Sequence, residues 1–206
     1  MNLESDIYRA AAAFPSATLL EANGGRGALS SDLRPIDPRR KLSGRALPVE
    51  CAPGDNLWLH RALLRVTLGD VLVCTVAGAY EHGYWGEILT CAAIVKGVVG
   101  LVIDGGVRDA DRIEALGFPV FARRLCIRGT TKQLDARGSV GNDVTIGDCL
   151  VSLGDLILGD RDGLVVVPSA EIRSVLDAAA DREVKEEMIL RRLRGGETTI
   201  EVYGWK

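Results

Sequence analysis

At 206 residues, with 47% hydrophobic and 26% charged side chains, the chain has the size of one ordinary domain and the composition of a globular protein, which excludes the disordered and fibrous classes. Its net charge of -3 lacks the basic excess that draws a phosphate backbone, so no nucleic-acid partner is expected. Apolar runs fall well short of the roughly 20 residues that cross a bilayer and MNLESDIYRA carries no signal-peptide pattern, so no membrane partner and a cytoplasmic location are expected.

Residues 6–14 and 17–22 read as two short helices, with Ser16 as N-cap of the second. They belong to an N-terminal helical segment spanning residues 1–40, which ends in the polar connector SSDLRPIDPRRK. Residues 42–51 have strand chemistry, closed by the turn Pro53-Gly54-Asp55, and residues 57–66 show apolar side chains at helical spacing. After Gly69-Asp70, VLVCTVA is a short continuous apolar run suited to a buried strand. The pattern then repeats as loop 78–86, helix 87–96, strand 100–104, loop 105–109, helix 110–116 and strand 119–122. Strands alternating with helices at this spacing require crossovers and hence a largely parallel sheet. From residue 143 short strands separated by Gly-Asp turns predict a meander or small barrel-like sheet packed on the first half. Residues 169–206 are expected to form a long charged helix and tail. The five cysteines are scattered, with no C-x-x-C pair, and read as buried free thiols.

Two segments carry candidate chemistry. In GLVIDGGVRDAD a hydrophobic strand runs into two glycines and then Arg108-Asp109, beyond the strand's carboxyl end, where α/β sheets bind ligands. The same residues also suit a plainer role, Asp109 as helix N-cap and Arg108 in a surface ion pair. In GYWGEILT, Gly83 and Gly86 flank a loop feeding a helix that opens at Glu87, so unpaired amides face outward and suit a carboxylate or enolate oxygen. Glu87 also fits there simply as a helix-stabilising first-turn charge. Together an amide nest, an arginine and carboxylates able to hold a hard cation fit an oxo-acid ligand. Zinc chemistry would want clustered histidines, and only His60 and His82 exist. There is no G-x-S-x-G elbow and no Walker or Rossmann glycine pattern. Lys132 stays open as a Schiff-base candidate.

Over nearly its whole length, through ATLLEANGGRGAL, PGDNLWLH, GYWGEILT, GLVIDGGVRDAD, FPVFAR, the G-T-x-K element at Gly129 to Lys132, GDLILGDRDGLVVVP and the KEE of the last helix, the sequence resembles the RraA-like family. Within that family it is similar to the class II pyruvate aldolases acting on 4-hydroxy-4-methyl-2-oxoglutarate and 4-carboxy-4-hydroxy-2-oxoadipate in aromatic-compound degradation. The resemblance implies an α/β fold, a layered α-β-β-α sandwich with a central mixed sheet, N-terminal helices and a long C-terminal helix, in a single domain over residues 1–206. It implies carbon–carbon lyase activity releasing pyruvate, with oxaloacetate decarboxylation as a side activity. It further implies that Asp109 ligates Mg2+ or Mn2+, that Arg108 binds the pyruvyl end, that amides of the Gly86, Glu87, Ile88 and Leu89 turn hold the carboxylate, and that Glu87 positions a metal-bound water. Glu186, and more weakly Glu21, are implied as contributions from an adjacent subunit of a homotrimer or a hexamer of paired trimers. Many members carry an acid four residues after the arginine; here that position is Arg112, and Asp111 reads as a helix-start charge. Other RraA-like proteins bind and inhibit ribonuclease E, which makes a protein regulator the alternative reading.

Overall fold

The computed structural model describes residues 3–205. In chain order the elements are α1 (Leu3–Ala11), α2 (Ser16–Ala22), β1 (Arg34–Pro35), β2 (Leu42–Cys51), α3 (Leu57–Ala62), β3 (Asp70–Thr75), β4 (Gly83–Trp85), α4 (Glu87–Val95), β5 (Gly100–Val107), α5 (Ala110–Leu116), β6 (Val120–Leu125), β7 (Gly138–Val140), β8 (Val144–Ile146), β9 (Cys149–Val151), β10 (Leu156–Gly159), β11 (Leu164–Val167), α6 (Ile172–Arg194) and α7 (Thr199–Tyr203).

The main sheet runs β1-β6-β5-β3-β2-β10-β11. Its centre, β2-β3-β5-β6, is parallel, as the alternation of strands and helices requires, and β1, β10 and β11 add antiparallel edges. Every residue of β5 is buried, the signature of a strand covered on both faces. Alternation sorts the side chains. Leu72, Cys74, Leu101 and Ile103 pack with α3, α4 and α5 residues such as Leu59, Leu89, Ala93 and Ile113. Val71, Val73, Val102 and Phe121 point the other way, onto Ile157 and Val166 of β10 and β11 and onto Val144, Ile146 and Val151 of the β8–β9 hairpin. The sheet therefore curls upon itself. The outward residues Leu156, Leu158, Val165 and Val167 are covered by α1, α2 and α6 through Ala11, Leu19, Ile172, Val175 and Ala179. The result is the mixed-sheet α-β-β-α layering expected, with the long C-terminal helix in the outer layer. No helix among the described residues is long and apolar enough to cross a membrane.

Several local expectations are corrected. Ser16 is not the N-cap of α2; Pro15 is, and the Ser16 amide and hydroxyl instead bond Asp160 at 2.8 and 2.6 Å. Gly105 and Gly106 do not turn the chain but lie inside β5, which continues to Val107. A Cβ on Gly106 would sit 2.6 Å from the His82 carbonyl, so this glycine permits the segment 80–85 to lie against the strand. That segment contains β4, parallel to β5, where an open loop was expected. The late strands do not form a sheet of their own, since β10 and β11 extend the main sheet and only β8–β9 pair separately. Of the cysteines, Cys51 and Cys74 are buried, while Cys126 and Cys149 are partly accessible and Cys91 is exposed.

Candidate functional site

At the C-terminal edge of the parallel strands three connections meet: 76–86 after β3, Arg108-Asp109 after β5 and 126–131 after β6. Two backbone bonds knit them together, from the Arg108 amide to the Trp85 carbonyl at 2.9 Å and from the Gly83 amide to the Arg128 carbonyl at 2.7 Å. Trp85 is buried, and its indole N–H donates to the Thr90 hydroxyl at 2.7 Å, which in turn donates to the Gly86 carbonyl at 3.0 Å. This rigid backing fixes where α4 starts. Trp85 and Thr90 were not singled out from sequence; a threonine four residues after the glycine that opens a helix was the available signal.

Asp109 decides between the two readings of its segment. It occupies the N-cap position of α5, yet its side chain makes no capping bond. Its backbone is left-handed, with φ 60° and ψ 37°, a conformation costing on the order of 1 kcal/mol for a residue with a Cβ. That backbone swings the carboxylate away from α5 and across to α4, where Oδ2 accepts the Glu87 amide at 3.1 Å. A Cβ on Gly86 would lie 2.3 Å from the same Oδ2, so the glycine is required by the carboxylate's position. Oδ1 takes no hydrogen bond from any described residue.

Arg108 is half exposed, and its Nε stands 3.9 Å from Asp109 Oδ2, its sole ion pair among the described residues. Its side chain runs over Gly83 and Gly86 toward Gly129, close enough that a Cβ on Gly83 would lie 3.2 Å from Arg108 Cβ. Apart from this exposed pair with Asp109, the ion pair of the plainer reading, no described residue engages the guanidinium. Of the amides expected to receive a carboxylate, that of Glu87 is already held by Asp109. Those of Ile88 and Leu89 remain in the first turn without a carbonyl partner. The Leu89 side chain is core and the Ile88 side chain is 79% exposed. Glu87, Ile88, Asp109, Ala110, Asp111, Arg112, Leu125 and Ile127 line an open groove of about 500 Å³.

Within one chain Glu21 and Glu186 are not brought to this groove. They lie on α2 and α6 and both pair with Arg182, Glu186 at 2.7 Å. A separate groove of about 420 Å³ beside Asn23 and Asp148 has Arg26 on its wall, but that arginine is paired with Glu171 at 2.6 Å. Among the described residues no three His, Cys, Asp or Glu side chains gather as a metal cage. Zinc, which wants three or four protein ligands, does not fit. Magnesium and manganese do, because such ions keep several waters and take one or two carboxylates plus substrate oxygens, and Asp109 presents one oxygen free beside Glu87.

A family model described as RraA-like, Aldolase/RraA, matches residues 6–166. The chain belongs to the RraA-like family. One relative, 30% identical over 203 residues that cover 97% of this chain and 94% of its own, is the Halalkalibacterium halodurans protein named "Putative 4-hydroxy-4-methyl-2-oxoglutarate aldolase". Among solved structures, an uncharacterized protein from Pseudomonas syringae superposes with a TM-score of 0.85 at 26% identity, over 98% of this chain and 94% of that one. Streptomyces coelicolor RraAS2, described as an unusual member of the RNase ES inhibitor RraA protein family, gives a TM-score of 0.80 at 30% identity, over 91% and 98%. The family thus spans aldolases and RNase inhibitors.

Proposed function

We propose that the chain is a divalent-metal-dependent lyase that cleaves 4-hydroxy-2-oxo dicarboxylic acids of the 4-hydroxy-4-methyl-2-oxoglutarate or 4-carboxy-4-hydroxy-2-oxoadipate type to pyruvate and a second oxo acid. The observation that carries this reading is Asp109, strained into a left-handed backbone so that its carboxylate leaves the helix it heads and stands beside Arg108 and the opening turn of α4. Strain of this kind persists where the surrounding structure imposes it, and it concentrates at functional sites.

Asp109 would hold Mg2+ or Mn2+ through its free oxygen, with Glu87 orienting a water of the ion's shell. When bound, the ion supplies Lewis acidity to the substrate's 2-oxo group. Arg108 offers a planar fork of donors to the oxygens of the pyruvyl end, and the Ile88 and Leu89 amides face its carboxylate. Loss of the 4-hydroxyl proton sends its electron pair into a new carbonyl, the bond between carbons three and four breaks, and the pair moves onto the 2-oxo oxygen. The guanidinium of Arg108 opposes that growing negative charge; such prearranged donors are worth several kcal/mol. A proton delivered to carbon three completes pyruvate. Decarboxylation of oxaloacetate develops charge on the same oxygen and is the expected side activity. The exposed apolar residues Ile88, Leu125 and Ile127 beside the groove support a contact with another copy there; the reading takes the assembly as a homotrimer or homohexamer, in which Glu186 and Glu21 of a neighbouring copy would join the site.

The test is pyruvate release from 4-hydroxy-4-methyl-2-oxoglutarate, coupled to lactate dehydrogenase, with Mg2+, after chelation, and in Asp109→Ala. Release that survives both chelation and the substitution overturns the metal role. The second reading, a regulator that binds ribonuclease E, draws support from the 30% identity to RraAS2. Firm capture of ribonuclease E by a chain that turns over no oxo acid would reverse the ranking.

A further inference from the structure

Arg112 is an unusual side chain to find where it is. It occupies the first turn of α5, where a cation gains nothing from the helix's own partial charges. It is exposed, and no described residue pairs with it through an ion pair or side-chain hydrogen bond, although Asp111 is its neighbour in sequence. Arg123 is engaged with Asp104 and Asp32, Arg124 with Glu81 and Arg39 with Asp37, while Arg128, beside Ile127, is exposed like Arg112 and has no ion pair among the described residues. Arg112 instead stands on the wall of the groove that holds Asp109 and Glu87, with Leu125 and Ile127 also lining that groove. Leu125 and Ile127 are 59% and 94% exposed.

Acids dominate this groove, with Glu87, Asp109 and Asp111 on its wall. A ligand bearing two carboxylates entering it therefore needs more than one compensating cation. Arg108 lies on one side of Asp109, over Gly83 and Gly86, and Arg112 lies beyond it on α5. We infer that Arg112 is the specificity-determining residue of the groove and receives the distal carboxylate of a dicarboxylic oxo acid, whose middle carbons run along Leu125 and Ile127. This rests on the oxo-acid reading above and adds to it the residue that reads the second carboxylate.

Binding rather than turnover tests it. With Mg2+ present, calorimetry on the full chain compares 2-oxoglutarate, which has no 4-hydroxyl to support cleavage, with 2-oxopentanoate, which has the same chain length and no distal carboxylate. The wild type is expected to prefer 2-oxoglutarate. Arg112→Ala should weaken 2-oxoglutarate roughly ten- to hundredfold, the scale of a lost hydrogen bond to a charged group, and leave 2-oxopentanoate unchanged; Arg112→Lys should restore part of the loss. Equal wild-type affinity for both acids, or an alanine variant that binds 2-oxoglutarate as the wild type does or loses both acids alike, overturns the role of Arg112 and leaves the oxo-acid reading standing. A wild type that binds neither acid sinks both.

Discussion

Two regions of the main sheet, the β10–β11 edge and the surroundings of β5, were built under different rules. In β10 and β11 the ladder is unbroken, each residue of 156–159 pairing with β11 on one side and β2 on the other, and the side chains alternate cleanly between two cores. Around β5 the register slips twice, against β4 between Gly83 and Trp85 and against β6 between Ile103 and Gly106. Among the described residues, both non-glycine positions with positive φ, Ala77 and Asp109, sit on this side, on the connections that leave β3 and β5. Regular pairing gains stability from every residue, whereas irregularity aims particular groups at one place. The contrast separates a regular half from an irregular one, and the irregular one carries the groove proposed for the chemistry.

The sharpest way to break that contrast is Asp109→Gly. Glycine adopts the left-handed backbone freely, so the melting temperature should hold or rise, by up to about 1 kcal/mol of stability, while pyruvate release falls at least about a hundredfold. Thermal unfolding and the coupled assay on the same preparation check it; a variant that loses stability along with activity would mean that the carboxylate is structural. Gly86→Ala should follow closely. Its methyl group would displace Asp109 Oδ2, and a misplacement of about 1 Å costs on the order of a hundredfold in rate, with the fold retained by circular dichroism.

Leu158→Ala is the mirror experiment on the regular side. This side chain is wholly buried between the sheet and the outer helices, so its truncation should cost about 2–5 kcal/mol in denaturant unfolding. Turnover per folded molecule should stay as it was. If kcat falls with stability, the two halves are not separable.

The same division governs what could be read from the chain. The limits of β2 and α5 are legible to the residue, because a hydrophobic run closed by a Pro-Gly-Asp turn and an apolar helix stopped by Gly117 in the left-handed region are local signals. So is the convergence of Arg108 and Asp109 with the α4 turn, since one segment follows the end of a strand and the other is a glycine-flanked loop feeding a helix. What stayed hidden depends on partners distant in sequence. Gly105-Gly106 looks like a turn until the chain 80–85 is laid against it. Ser16 looks like a cap until Asp160, 144 residues away, takes its hydroxyl. Whether Asp109 caps α5 or reaches to Glu87 depends on one backbone angle that an aspartate's identity does not fix, and only its position above a glycine reveals the choice.

The smallest effect expected comes from that Ser16–Asp160 contact, and it reaches the regular half through pH. Burial alone would raise the Asp160 pKa, but the hydroxyl and amide of Ser16 and the amide of Asp162 outweigh it and hold the carboxyl below its ordinary value. A carboxylate whose folded pKa is depressed contributes stability above its unfolded pKa, about 3.9, and loses it as pH falls through the lower folded value. Asp160→Asn should therefore lower the melting temperature modestly at pH 7 and flatten the decline of the wild type below about pH 4. Melting curves from neutral pH into that acid range check both signs. Because α2 is tied to the loop after β10 by this contact and not to the groove, kcat at neutral pH should not move; an activity loss in Asp160→Asn would show that the outer helices help to set the position of Asp109.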